Sequence, residues 1–179
     1  QAIALTGKFR FYDPAGRLIM FSEQKMFRLR EDIRVYSDES KRQEVLSIKA
    51  RQIIDFSAAY DVVDPEMNQK VGVLRRKGLN SILRDEWQVL DANDREIGTL
   101  FEDSIGLAML RRLFIGSLLP QNYDITVGAS RVADLKQRFN LYRYEMDLDF
   151  TMDAGRLLDR RLGIAAAILL AAVEGRENN

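Results

Sequence analysis

The chain holds 179 residues, 46% hydrophobic and 30% charged, the balance of one folded globular domain rather than a disordered segment. Its 27 basic and 27 acidic residues cancel, so bulk charge gives no reason to expect nucleic acid as a partner. Cys and His are both absent, which excludes disulfides, thiolate metal sites and every nucleophile scheme built on a histidine base.

In chain order, the first element is a hairpin candidate, FYDPAGRLIMF from Phe11 to Phe21, with Pro-Ala-Gly at its bend. Phe27, Leu29, Ile33 and Val35 then alternate with Arg28, Arg30, Asp32 and Arg34, the period of a half-buried strand. A strand is expected near Val45. Phe56, Ala58, Tyr60 and Val62 repeat the alternation against Asp55, Ser57 and Asp61. Tyr60 to Leu74 and Trp87 to Leu100 are two more hairpins, turning at Asp-Pro and at Asn-Asp. Tyr123 to Leu135 is a fourth, turning at Gly-Ala-Ser. These copies differ in sequence and their spacing reads as irregular, so they indicate an antiparallel meander rather than a solenoid.

Asp103 to Leu119 breaks the alternation and reads as a short helix, capped by Asp103 or Ser104 and ending before Gly116 and Pro120. Its Arg111 and Arg112 point to water if the helix caps a barrel, or to lipid headgroups if it lies on a membrane. The longest alternation is late: Tyr142, Tyr144, Met146, Leu148, Phe150 and Met152 against Arg143, Glu145, Asp147, Asp149 and Thr151. The expected total is roughly ten to twelve strands, a range that closes or splits into two sheets.

The C-terminal run LGIAAAILLAAV, Leu162 to Val173, carries no charge, and Gly175 is placed to end it. A membrane span needs about 20 apolar residues, and this run is shorter and closely bracketed by Arg160, Arg161, Glu174 and Arg176. It has no polar face for a surface helix. The expectation is a helix buried on all sides, with Leu162, Ile164, Ile168, Leu169, Leu170 and Val173 as its core contacts. A mainly β chain offers such a place in the lumen of a wide, closed antiparallel barrel. Each side chain contributes about 1.5–3 kcal/mol, so removing the run is expected to abolish folding.

FRLREDIRVYSDES (Phe27 to Ser40), VLSIKARQIIDFSAAYDVVD (Val45 to Asp64), GVLRRKGLNSILRDEWQVLD (Gly72 to Asp91) and LDRRLGIAAAILLAAVEGR (Leu158 to Arg176) together resemble the bacterial branch of the LURP-one-related proteins. Those proteins group with phospholipid scramblases in the tubby C-terminal-like superfamily. The resemblance implies one domain over 1–179, a twelve-stranded barrel around a central helix. The tubby branch binds phosphoinositide headgroups through surface Lys and Arg. The candidate basic patch here is Arg75, Arg76, Lys77 and Arg84, joined by Arg111 and Arg112, and no residue-level motif carries the tubby ligands onto these positions.

Asp91, Asn93 and Glu102 occupy the first, third and twelfth places of a calcium-type loop, but Arg95 and Glu96 stand where an oxygen ligand and a Gly belong. That similarity is read as an accident of a hairpin turn. Asp55, Asp61, Asp85 and Glu86 are carboxylates with nothing in the sequence to bring them together. The expectation is a non-catalytic binding or scaffolding domain without a cofactor or metal, cytoplasmic or peripheral at a membrane. Its expected partner is an anionic phospholipid or a protein. A scramblase-like, lipid-handling role is the alternative.

Overall fold

The computed structural model describes residues 6–25, 32–51, 58–77, 86–102, 121–138 and 145–177. The described residues form one antiparallel sheet of eleven strands in simple sequential order, followed by a helix. The first four strands are β1 (Thr6–Tyr12), β2 (Leu18–Lys25), β3 (Ile33–Tyr36) and β4 (Glu44–Ala50). Next come β5 (Ala59–Asp64), β6 (Gln69–Arg76), β7 (Glu86–Leu90) and β8 (Glu96–Glu102). The sheet ends with β9 (Asn122–Val127), β10 (Ser130–Arg138) and β11 (Glu145–Asp149), and helix α1 spans Arg160–Glu177. The expected segment from Asp103 to Leu119 lies outside the described residues, as do Phe27, Leu29, Phe56, Tyr142 and Tyr144.

All four hairpins expected from turn chemistry are present, as β1–β2, β5–β6, β7–β8 and β9–β10, with β3–β4 a fifth. Four turns begin with an Asp whose Oδ1 accepts the amide two residues on: Asp13 from Ala15, Asp38 from Ser40, Asp64 from Glu66 and Asp91 from Asn93. Each of the five turns also contains one left-handed residue: Gly16, Lys41, Asn68, Asp94 and Gly128. Beyond each turn, the second strand carries one residue that the register skips: Ile19, Val45, Val71, Ile97 and Val132.

The first four of these bulges fall 26 residues apart. For the first four hairpins the irregular spacing read from the turn residues is therefore corrected: their turns vary in composition, while the bulge recurs at one interval. The fifth bulge, Val132, lies 35 residues after Ile97, so the recurrence stops before β9–β10.

Inward positions of β3 to β10 and the helix share one apolar cluster that includes Ile33, Ile48, Val62, Trp87, Leu100, Tyr123, Leu135 and Leu169. Six successive helix residues, Ala165 to Leu170, are all buried. At about 100° per residue they pass right around the helix axis, so no face of this stretch meets water. Leu162, Ile168, Leu169 and Leu170 sit in the core as expected, whereas Ile164 is only partly buried and packs against it. Val173 lies in the helix backbone, and its side chain is outside the described residues. Gly175 does not end the helix, which continues to Glu177. Glycine weakens a helix but permits its backbone angles.

The helix packs against β5, β6 and β11. β6 and β11 stand five places apart in the sheet, about 24 Å if it were flat. A helix is about 10–12 Å across, so contact with both requires the sheet to bend around it. The approach to β6 is close. A Cβ built on Gly72 would lie 2.5 Å from the carbonyl oxygen of Leu90 and 3.0 Å from Leu162 Cδ2.

β11 ends at Asp149 rather than continuing to Met152, which is exposed in a turn. The Asp149 Oδ1 accepts the Thr151 amide at 2.8 Å and turns the chain toward α1.

Candidate functional surface

The start of the helix is fixed by charge. Asp159 caps it, its Oδ1 accepting the Arg161 amide at 2.9 Å. Asp153 is buried, and its carboxylate accepts the amides of Leu157 and Leu158 and Arg160 Nη1 at 2.8, 3.1 and 2.9 Å. Burial opposes ionisation of Asp153, but the Leu157 and Leu158 amides and the Arg160 guanidinium outweigh it and hold the carboxyl below its ordinary range. Arg160 also stacks over the Phe150 ring, 4.4 Å from its centroid. Arg161 reaches across to the β5–β6 turn, with Nη1 2.7 Å from Asp64 Oδ2. None of these roles shows as alternation or as an uncharged run. The available signal is the local order Asp153, Asp159, Arg160, Arg161 just ahead of the apolar residues.

The outer face of the sheet carries a second network. Arg51 Nη2 lies 2.6 Å from Asp61 Oδ1 on β5 and 2.6 Å from Asp94 Oδ1 in the β7–β8 turn. Lys70 Nζ adds a 2.9 Å contact to Asp94 Oδ2. The Arg51 guanidinium is held above its ordinary range, chiefly by hydrogen bonding to Asp61. The Asp94 carboxyl is held below its range by Lys70 and then Arg51. Val73, paired with Asp61 and Leu90 in the same row, faces outward yet is buried, as is Leu90.

The expected cationic cluster is divided by the strand period. Arg75 pairs with Ala59 and Gln88 and faces outward, while Arg76 pairs with Trp87 and shares the inward parity of Leu74. Lys77 returns to the outer side and forms an ion pair with Glu86. Arg75 is thus the member of this trio that faces outward without a carboxylate partner among the described residues. Arg84, Arg111 and Arg112 lie outside the described residues, as do Asp55 and Asp85. Asp61 is engaged by Arg51, and Glu86 by Lys77. Asp91 caps the β7–β8 turn through the amides of Asn93 and Arg95, and the Arg95 amide chiefly holds its carboxyl below the ordinary range. That is the use of the calcium-like spacing in this fold.

A shallow groove of about 180 Å³ opens on the outer face beside β3, β4 and the β5–β6 turn. Arg34, Ser47 and Val63 occupy one row across its three strands. Sequence reading did not single it out, because its residues come from three separate strands and have no common spacing. No helix among the described residues is long and apolar enough to cross a membrane.

The family model described as LURP-one-related matches residues 18–171. That interval runs from β2 to the buried helix, so it covers the hairpins from β3 to β10 and the core together. No curated protein and no solved structure matches the chain.

Proposed function

The chain belongs to the LURP-one-related family, and on that premise we propose a non-catalytic binding domain whose outer face engages anionic phospholipid headgroups at a membrane periphery. The observation that carries this reading is the all-round burial of Ala165 to Leu170, which places helix side chains where a barrel ligand would otherwise sit. That burial supports a reading in which recognition uses the outside of the sheet. Closure of the sheet into a tubby-like barrel belongs to the same proposal. It is supported by a single helix touching both β6 and β11.

Arg75 supplies one outward cation, and a cation near an anionic surface is worth about 1 kcal/mol, or about fivefold in binding. Lys77 supplies less, because Glu86 neutralises it. The test is flotation of the whole chain with phosphatidylcholine vesicles, with and without phosphatidylserine, at low and high salt. Binding is expected with the anionic vesicles alone, weakened about fivefold by Arg75→Gln and lost at high salt. Absence of binding to anionic vesicles at low salt would overturn the proposal.

A further inference from the structure

An antiparallel meander sorts its connections between two ends. The turns β1–β2, β3–β4, β5–β6, β7–β8 and β9–β10 share one end, because every strand runs opposite to its neighbour. β11 runs in the direction of β1 and finishes at that same end, so residues 150–159 and the start of α1 lie there too. The large apolar side chains that stand exposed among the described residues are Tyr12, Ile19, Met67, Met152 and Leu157, and all of them belong to this end. Single exposed apolar residues are ordinary, whereas a set gathered on one surface marks a contact.

Met67 is 64% exposed and Leu157 54% exposed, yet each is carried on pinned backbone. Asp64 Oδ1 accepts the amides of Glu66 and Met67, each at 3.0 Å. Asp153 Oδ1 accepts the Leu157 amide at 2.8 Å. Asp64 Oδ2 also takes Arg161 Nη1 at 2.7 Å, so the first turn of α1 braces the β5–β6 turn beside residues 150–159. Side chains on backbone already fixed lose less freedom on docking, which favours association.

The charges beside these side chains select the partner. Glu66 precedes Met67, Arg156 precedes Leu157, and both are exposed. Neither forms an ion pair among the described residues, whereas the nearby Asp64, Asp153 and Asp159 are engaged by Arg161, Arg160 and Arg161. The surface therefore offers one uncommitted charge of each sign beside apolar side chains. Glu66 opposes an anionic membrane, and a partner of one sign would answer only half of the pair. A second copy carries both signs, and a two-fold axis sets Arg156 of each copy against Glu66 of the other.

We infer that this end of the domain is a self-association surface, on which two copies meet through Met67 and Leu157 with Arg156 and Glu66 paired across the contact. It goes beyond the headgroup reading and is independent of it, because Arg75 stands at the opposite end of β6 from the β5–β6 turn.

The experiment is analytical ultracentrifugation of the whole chain from about 1 to 500 µM at low salt, a range suited to a small contact. A reversible monomer–dimer equilibrium is expected, with Kd of about 10–100 µM. Met67→Ser and Leu157→Ser are each expected to weaken it about tenfold or more, since every substituted side chain occurs twice in a two-fold contact. Arg156→Glu and Glu66→Arg are each expected to weaken it about fivefold, while the two together restore it to within about twofold. That restoration separates a paired charge from damage to the fold, and thermal melts show that each variant is folded. A monomer at every concentration overturns the inference. So does a dimer untouched by Met67→Ser and Leu157→Ser, or a double reversal as weak as either single one. A monomer whose binding to phosphatidylserine vesicles falls with Leu157→Ser gives this end to a membrane and overturns it as well.

Discussion

If α1 is enclosed, substitutions along it should show no tolerant side. Ile168, Leu169 and Leu170 are each 1% exposed. Truncating any of them to Ala deletes three carbons from a dry site, at about 0.8 kcal/mol each, or about 2.4 kcal/mol before any cavity cost. Incomplete collapse of the surrounding sheet brings the expected loss to about 2–5 kcal/mol per substitution. That is a large fraction of the roughly 5–15 kcal/mol that holds a typical domain together. In a chain of this size it lowers Tm by about 5–20 °C. Ala165→Asp and Ala166→Asp extend the scan around the helix and bury a carboxylate, so they are expected to cost at least as much. Urea titration and thermal melting followed by circular dichroism read both quantities. The reasoning fails if one of these five positions changes stability by less than about 0.5 kcal/mol, because a tolerated position marks a helix face turned to water.

Two further outcomes follow from local geometry. The Asp153 carboxyl titrates below its ordinary 3.8 in the folded chain, so its contribution is complete above that value and disappears as pH falls through the lower folded one. Asp153→Asn is expected to destabilise the chain at neutral pH and to flatten the loss of stability below about pH 4; an unchanged acid slope in urea titrations would contradict this. A Cβ on Gly98 would meet the Thr126 carbonyl oxygen at 1.8 Å, whereas one on Gly128 meets nothing within 4 Å. Gly98→Ala is expected to cost about 3 kcal/mol or more by forcing β8 from β9, and Gly128→Ala about 1–2 kcal/mol from its left-handed backbone alone. Equal urea midpoints for the two variants would refute that ordering.

The hairpins and the buried helix were legible because each is written in neighbouring residues. Asp-Pro at 64–65 and Gly-Ala-Ser at 128–130 mark reversals, and the uncharged residues from Leu162 to Val173 leave no polar side. Strand parity around Ile33, Val35, Tyr60 and Val62 likewise follows from period two. Arg75, Arg76 and Lys77 are adjacent in sequence but alternate in space, and the same period separates them once the strand is recognised. The groove of Arg34, Ser47 and Lys49 depends on register between strands, which no single stretch encodes. The Arg51 network joins residues up to 43 positions apart for the same reason. The 26-residue recurrence was hidden because bulges and left-handed residues are backbone states that Gly, Lys, Asn and Asp can all supply.

The place of α1 in the chain also shapes how the domain comes into being. Among the described elements, the buried helix is made last, after every strand it packs against. Hairpins of short loop length can form locally as they emerge, but their apolar sides lack the cover of α1 until that helix has been made. A growing chain therefore passes through a stage rich in strands and poor in cover, the condition in which chains adhere to one another. The order of the elements thus leaves the apolar sides of β5, β6 and β11 without their helix until α1 has been made.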